Sequence, residues 1–428
     1  MPTPSLLIVP ARFKTGRLYS QIPTNTDNRG DFTVTRNTTA TRFTSAGLIE
    51  SVASGIPRLD YYTSGGVTGC PALLVEPSGT NLCLQSENFS TTWSPTNTVV
   101  SGNVAGTTDP AGGNTADQIF ETAASGNHFL AQTMTIVSGT TYVGSIFYKK
   151  ATGSPDWMQV AFSTTGLAGF ANFNLTSGTV GLTGAGCTGR IENYGNGWYR
   201  CTLIQTANAN GTSGGPVIVF TNNTNSITRF VSYTGNTATS IYAWGAQLET
   251  GSVATSYIPT TAGTGSRSAD VISVSGAVSG SIGQTEGTLY AEIVAQPYNG
   301  VSFPAILQVD DGADSQRFAI FINASGGIRI RFNASGINTN SDSTNPATLV
   351  VGQTYKIAAA FGFNGSQALY INGVFQVSGS VTAGPFTAAL NRVMLGHRAG
   401  VSSPFLIRSA ALYTTRLTNA QLATLTTP

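Results

Sequence analysis

The chain has 428 residues, of which only 9% are charged; 21 Lys and Arg nearly cancel 19 Asp and Glu, while Gly takes 50 positions. An average soluble domain carries about 25% charged residues, and exposed helix faces are normally filled with Lys, Glu, Arg and Gln, so this composition, rich in sheet and turn formers, predicts an all-β protein. A net charge of +2 excludes holding a polyanion through many phosphate contacts, so no nucleic-acid partner is expected. No apolar run approaches the roughly 20 residues that span a bilayer, so no membrane insertion is expected.

In chain order, the short apolar run Ser5 to Pro10 precedes Arg12, Lys14 and Arg17, the reverse of a secretory signal; assembly in the cytoplasm is expected. A single core rarely extends past about 250 to 300 residues, so two or three units are predicted. One seam falls near 77–81 and closes a segment that holds Arg12, Lys14, Arg17, Arg29, Arg36, Arg42 and Arg58. A second is the Gly, Ser and Thr stretch 260–267, a linker by composition. The expected units are an extended attachment region, 1–80, a jelly-roll sandwich, 81–265, and a second antiparallel sandwich, 272–428.

Between the seams, short alternating runs separated by turn residues read as a sandwich. Tyr142 to Tyr148 alternates like a strand with two unlike faces. Gly195-Asn196-Gly197 separates two strand-like runs, and a hairpin centred there pairs Cys201 with Ile191 rather than with Cys187. The four cysteines, Cys70, Cys83, Cys187 and Cys201, are therefore expected to be reduced. Ile241 to Glu249 puts Tyr242, Trp244, Ala246 and Leu248 on one predicted face, and Trp93, Trp198 and Trp244 are read as core. Past Ser273, strands are predicted at 288–294, 305–309, 317–322 and 355–361. Asn372-Gly373 marks a hairpin, and Thr418 to Gln421 is a capping box that opens one short helix over 420–425.

Several ordered motifs carry a resemblance. Gly30 to Arg36, Ala40 to Ile49, Ile56-Pro-Arg-Leu-Asp60, Leu73 to Pro77 with Thr80-Asn-Leu82, Asn196 to Cys201, Trp244 to Glu249 and Thr255 to Thr260 together resemble tailed-bacteriophage structural proteins with a head spike fibre domain. The part from Leu369 to Val377 through Leu395-Gly396 to Ile407–Tyr413 and Leu417–Leu422 resembles concanavalin A-like or laminin G-like lectin sandwiches. The resemblance implies a virion surface fibre or spike, attached at its N-terminal end to capsid, portal-proximal or tail proteins and displaying glycan-binding-like sandwiches. Fold alone does not name the ligand.

Catalytic chemistry has little raw material. The two histidines, His128 and His397, sit in no motif, and His128 is read as structural. Two facing carboxylates, which glycoside hydrolysis requires, are not evident, so the chain is read as non-enzymatic with no cofactor other than a possible calcium ion. Asp310, Asp311 and Asp314 cluster in a predicted hairpin tip, which is either solvated or a calcium loop. Trp157, Tyr298 beside Asn299, and His397 with Arg398 are the candidate sugar contacts. Trp157 and Tyr298 serve equally as rim residues against a neighbouring subunit. Arg12, Lys14, Arg17, Arg36, Arg42 and Arg58 are the candidate attachment residues; the alternative is that they are ordinary surface charges. The function expected is a virion protein that adheres to host-surface polysaccharide as a trimer or dimer. A capsid or tail decoration protein without sugar binding, or a polysaccharide-degrading tailspike, stand as the alternatives.

Overall fold

Side chains on a strand point alternately to its two faces, and that alternation closes two antiparallel sandwiches in the computed structural model, which describes all residues except 1, 24–28, 62–69, 164, 213, 277, 299, 301–302, 314, 335, 347, 364–366, 380–384 and 399. The protein is all-β, with the short helix Asn419–Thr426 near its end. No described helix is long and apolar enough to cross a membrane.

The first sandwich packs two six-stranded sheets. One runs Ser94–Thr96, Phe129–Ala131, Pro216–Phe220, Trp157–Phe162, Phe170–Asn174, Thr179–Thr183; the other runs Thr98–Ser101, Asp117–Glu121, Ser240–Thr250, Thr141–Lys150, Trp198–Thr206, Cys187–Asn193. Ile119, Ile146, Phe162, Phe173, Leu203 and Ile218 meet between them. The hairpin register is the expected one: Ile191 lies opposite Cys201, and all four cysteines are free thiols. Trp93, Trp198 and Trp244 are buried as expected, and His128 is buried with Nδ1 2.9 Å from the Asn97 carbonyl.

One expected face is corrected. Gly245 adopts φ +62° and adds an extra residue opposite Ser145–Phe147, a bulge that shifts the alternation by one. Ala246 and Leu248 join the core between the sheets, whereas Trp244 and Tyr242 point outward, where Trp244 packs with Phe43, Ile49, Phe147, Trp198 and Tyr257. Tyr142 to Tyr148 is accordingly buried on both faces.

The second sandwich draws on both ends of the chain. Its eight-stranded sheet joins Glu286–Val294, Thr354–Gly362, Gln367–Ile371, Val374–Gly379 and Phe405–Tyr413 to Leu6–Ile8, Arg58–Asp60 and Ala72–Val75. The facing nine-stranded sheet adds Phe13–Lys14, Arg17–Leu18 and Phe32–Thr35 beside Val271–Ser275, which pairs on its other side with Arg392–Leu395. Leu6, Ile8, Leu18, Phe32, Leu59 and Leu73 therefore belong to the same core as Ile306, Phe318, Ile330 and Ile407. Of the segment expected as a separate extended region, 1–80, the strands at 6–8, 13–18, 32–35, 58–60 and 72–75 belong to the C-terminal sandwich, whereas the hairpin Ala40–Phe43/Ile49–Val52 packs Phe43 and Ile49 on Trp244 of the first. The Asn372-Gly373 hairpin forms with φ +49° and +77°, and the Thr418–Gln421 capping box opens the helix, which packs Leu422 on Tyr290, Tyr370 and Tyr413.

The seam between the sandwiches is tied by ions. Arg58 pairs with Glu76 at 2.7 Å and with Asp270; Arg36 pairs with Asp270 at 2.9 Å, and Arg267 with Glu76 at 3.1 Å. Ser256, which follows the first sandwich, donates its amide (2.8 Å) and hydroxyl (2.7 Å) to Glu76. Arg36 and Arg58 are thus not surface charges; both are buried, and their role is internal. The predicted linker is likewise pinned, since Gly265–Arg267 pairs with Gly79–Asn81 and Arg267 is buried.

Two outcomes are expected. Arg58→Ala takes from two buried carboxylates, Glu76 and Asp270, one of the two guanidinium partners each has and should cost about 3 to 5 kcal/mol in urea denaturation. Burial alone would raise the Glu76 carboxyl, but Arg267 and Arg58 outweigh it and hold it down at about 2, against an ordinary 4.5. The stability linked to this lowering is complete above pH 4.5 and is lost as pH falls toward 2. The loss is on the order of 3 kcal/mol, and Glu76→Gln should remove that part of the acid dependence.

Candidate functional site

The edge strand Cys187–Asn193 sets the site. Its turn to Trp198–Thr206 uses Gly195, Asn196 and Gly197 at φ +78°, +48° and +79°. Cys187 and Ile191 face the sandwich core, so Arg190 and Glu192 project from the opposite face. There Glu192 lies directly across from Arg200. Arg200 is already committed: it donates to Ser145 Oγ (3.2 and 3.0 Å) and to the Thr255 carbonyl (2.8 Å), and lies 5.5 Å over the Phe147 ring.

Opposite this strand stands the end of Glu286–Val294 with Gln296 and Pro297, backed by the Val350–Gln353 turn, where Gly352 donates to the Ala295 carbonyl at 2.8 Å. A cleft of about 540 Å³ separates the walls, with Val180, Arg190, Glu192 and Tyr199 on one side and Gln296, Pro297 and Val351 on the other. Gly178 is required beside it, because a Cβ there would sit 2.9 Å from the Tyr199 ring. The cleft continues into a recess of about 200 Å³ bounded by Arg190, Gln296, Tyr298, Val351 and Phe405.

Burial pushes the Glu192 carboxyl up, against the opposing pull of Arg200 and Arg190. Burial likewise lowers Arg190, with Glu192 opposing. Among the described residues neither side chain has a hydrogen bond or an ion pair. Gln296 Nε2 makes only long bonds to the Val294 (3.5 Å) and Ala295 (3.3 Å) carbonyls. The cleft thus offers a carboxylate acceptor, a guanidinium donor and an amide above a partly apolar floor.

Of the sequence-predicted sugar contacts, Tyr298 lines the recess, half-buried, and Asn299 lies outside the described residues. Trp157 opens Trp157–Phe162 on the far sheet and lies so close to Gly181 that a Cβ there would meet its ring at 2.4 Å. It does not line the cleft. His397 is nearly buried in the two-residue ladder with Ser402, and the Arg398 guanidinium lies 5.6 Å from the Phe321 ring, so neither stands on an open loop.

Two of the three aspartates read as a solvated tip or a calcium loop are described. Asp310 is buried, paired with Arg392 at 2.7 Å and bonded by Gln308 Nε2 (2.6 Å) and the Gly312 amide (2.8 Å). Asp311 caps its own turn by accepting from the Ala313 amide at 3.0 Å, and Asp314 lies outside the described residues. Among the described residues no three His, Cys, Asp or Glu are placed to hold a metal ion. Of the basic candidates, Arg12 and Lys14 are exposed on the Phe13–Leu18 hairpin with Arg17, both within 6 Å of the Tyr19 ring centroid (5.8 and 5.9 Å), and Arg42 pairs with Glu50 at 2.5 Å.

Sequence reasoning missed Arg190, Glu192, Tyr199 and Gln296. Their one available signal was a pair of opposite charges at i, i+2 on a strand, in a chain with few charges.

The family model for the concanavalin A-like lectin/glucanases superfamily matches residues 272–423. No curated protein matches the chain. Similar solved structures include the carbohydrate-binding module of a Ruminococcus gnavus intramolecular trans-sialidase bound to α2,3-sialyllactose (22% identity, 34% of this chain and 84% of that one, TM-score 0.29). Domain 4 of a Geobacillus stearothermophilus extracellular arabinanase, in complex with arabinotriose, is another (21% identity, 37% and 73%, TM-score 0.29). Residues 272–423 form a concanavalin A-like lectin/glucanase domain, completed in this chain by strands from its first 80 residues.

Proposed function

We propose that this chain is a non-catalytic surface protein of a tailed-bacteriophage virion that adheres to host-cell polysaccharide. The cleft between the sandwiches carries the adhesive part of this reading. Its volume falls in the range of about 300 to 1,000 Å³ typical of small-molecule sites, and it mixes hydrogen-bonding groups with apolar and aromatic surface. The concanavalin A-like domain that forms one wall supports the same reading. Glu192, the acid lining the cleft, faces Arg200 rather than a second carboxylate, which favours binding over hydrolysis.

The virion part rests on the ordered motifs between Gly30 and Thr260 and on the low-charge, all-β chain. Weak single sites gain avidity when many copies act together, and a cyclic dimer or trimer suits that use. The hairpin with the exposed Arg12 and Lys14 and the half-buried Arg17 is the attachment surface toward other virion proteins.

Purified protein is expected to bind the surface polysaccharide of a susceptible host in a pull-down and to release no reducing ends. Release of reducing ends would assign a degrading tailspike instead. Lack of any binding, together with weaker capsids when the protein is missing, would assign a decoration protein. Reversing the hairpin with Arg12→Glu and Lys14→Glu should lower the number of copies per particle while moving the melting temperature by no more than about 2 °C, as exposed substitutions do.

A further inference from the structure

One seam holds two contrasting halves. At the ion-tied half every carboxylate meets guanidinium or hydroxyl groups, as buried polar groups normally do. In the cleft, Arg190, Glu192 and the Gln296 side-chain carbonyl make no hydrogen bond or ion pair among the described residues, although Arg190 and Arg200 act on Glu192 through their fields. Half-buried charged groups that line a cleft and make no hydrogen bond inside the protein leave their donors and acceptors open to a ligand.

We infer that the cleft is one ligand site shared by both sandwiches, and that it takes a neutral oligosaccharide presenting neighbouring hydroxyls, with Glu192 accepting and Arg190 and Gln296 donating. This inference rests on the glycan-adhesion reading above. The neutrality follows from the charges. Arg190 and Glu192 stand two residues apart on one strand face, about 6.6 Å at the usual rise, so their fields oppose each other over the length of a single sugar ring. An acidic sugar held by Arg190 would bring its carboxylate beside Glu192, and a cation drawn to Glu192 would meet Arg190 and Arg200. A sugar hydroxyl both donates and accepts, so a pair of them satisfies both groups at once. The Tyr199 ring, Val180, Val351 and Pro297 offer the C–H faces of a pyranose an apolar floor. Arg200 is held by Ser145 and the Thr255 carbonyl and makes no hydrogen bond to Glu192.

The full-length protein is titrated calorimetrically with neutral tetrasaccharides of glucose, mannose, galactose and rhamnose, and in parallel with sialyllactose and trigalacturonate. Binding to one or more neutral probes is expected, with neither acidic probe preferred. Glu192→Gln should weaken binding about 10- to 100-fold, the loss of a charged hydrogen bond, without lowering the melting temperature. Gln296→Ala should weaken it less. Val351→Trp, at an exposed position that needs no core rearrangement, should block the cleft and abolish binding. Neutral-glycan binding that survives both Val351→Trp and Glu192→Gln would place the site elsewhere and overturn this inference while leaving glycan adhesion standing. A preference for the acidic probes would overturn the ligand class. Failure of the wild type to bind any probe or any host polysaccharide would overturn the adhesion reading itself.

Discussion

Five charges buried at one point hold this protein in its shape. Arg36, Arg58 and Glu76 come from the first 80 residues, Arg267 and Asp270 from the segment between the sandwiches, and the Arg36–Asp270 contact joins residues 234 positions apart. Hydrophobic burial is non-directional and would tolerate sliding of one sandwich over the other. A cluster of guanidinium and carboxylate groups does not, because any shift leaves a charge buried without its partner. In a chain with 9% charge, placing five of them together out of water is a large commitment to one relative arrangement.

That arrangement positions the cleft through a short series of contacts. Glu76 holds Ser256; the neighbouring Thr255 carbonyl takes the Arg200 guanidinium, and Tyr257 packs against Trp244, tilted, with ring centroids 4.5 Å apart. Arg200 in turn sits across the strand pair from Glu192. The wall that bears Glu192 is thus braced from the ion cluster outward, while the opposing wall belongs to the sandwich that shares Arg58 and Glu76 strands. Both walls are fixed before a ligand arrives, and a preformed site avoids much of the ordering cost of binding.

Local chemistry was legible in the sequence. The Asn372-Gly373 and Gly195-Asn196-Gly197 turns and the Thr418–Gln421 capping box are each decided by a few adjacent residues whose backbone or side-chain demands leave little choice. The Ile191–Cys201 register follows directly from such a turn. What failed depended on distant partners or on one residue of phase. Arg36 and Arg58 read as surface charges because charged side chains are seldom fully buried unless paired, and the acid they share, Asp270, is met only after the chain has returned from the first sandwich. The single bulge at Gly245 reversed the faces of Tyr242 and Trp244 against Ala246 and Leu248. Strand pairing carries no local mark of its partner, so the entry of residues 6–8, 13–18, 32–35, 58–60 and 72–75 into the C-terminal sheets was not visible. The cleft stayed hidden for the same reason, since Glu192 and Gln296 meet only once both sandwiches are in place.

The motifs that carry the resemblance to phage structural proteins gain a physical meaning from this. Ile56 to Asp60 contains Arg58, Leu73 to Pro77 contains Glu76, Trp244 to Glu249 contains the bulge and Glu249, and Thr255 to Thr260 contains Ser256 and Tyr257. Glu249 accepts from the Thr255 amide at 2.8 Å and hydroxyl at 2.6 Å, and Thr255 Oγ1 accepts from Arg267 at 3.0 Å. These stretches are the junction, not the ligand surface. Arg190, Glu192 and Gln296 lie outside the motifs, whereas Tyr199 of the cleft floor lies within Asn196 to Cys201. A chain that shares the motifs would share the relative placement of its sandwiches, while the polar residues of the cleft could change without disturbing the ion cluster. Such a division separates a rigid frame from a variable binding surface, so likeness in these motifs speaks to how the domains are joined, and ligand choice has to be read from the edge strand Cys187–Asn193 and the wall it faces.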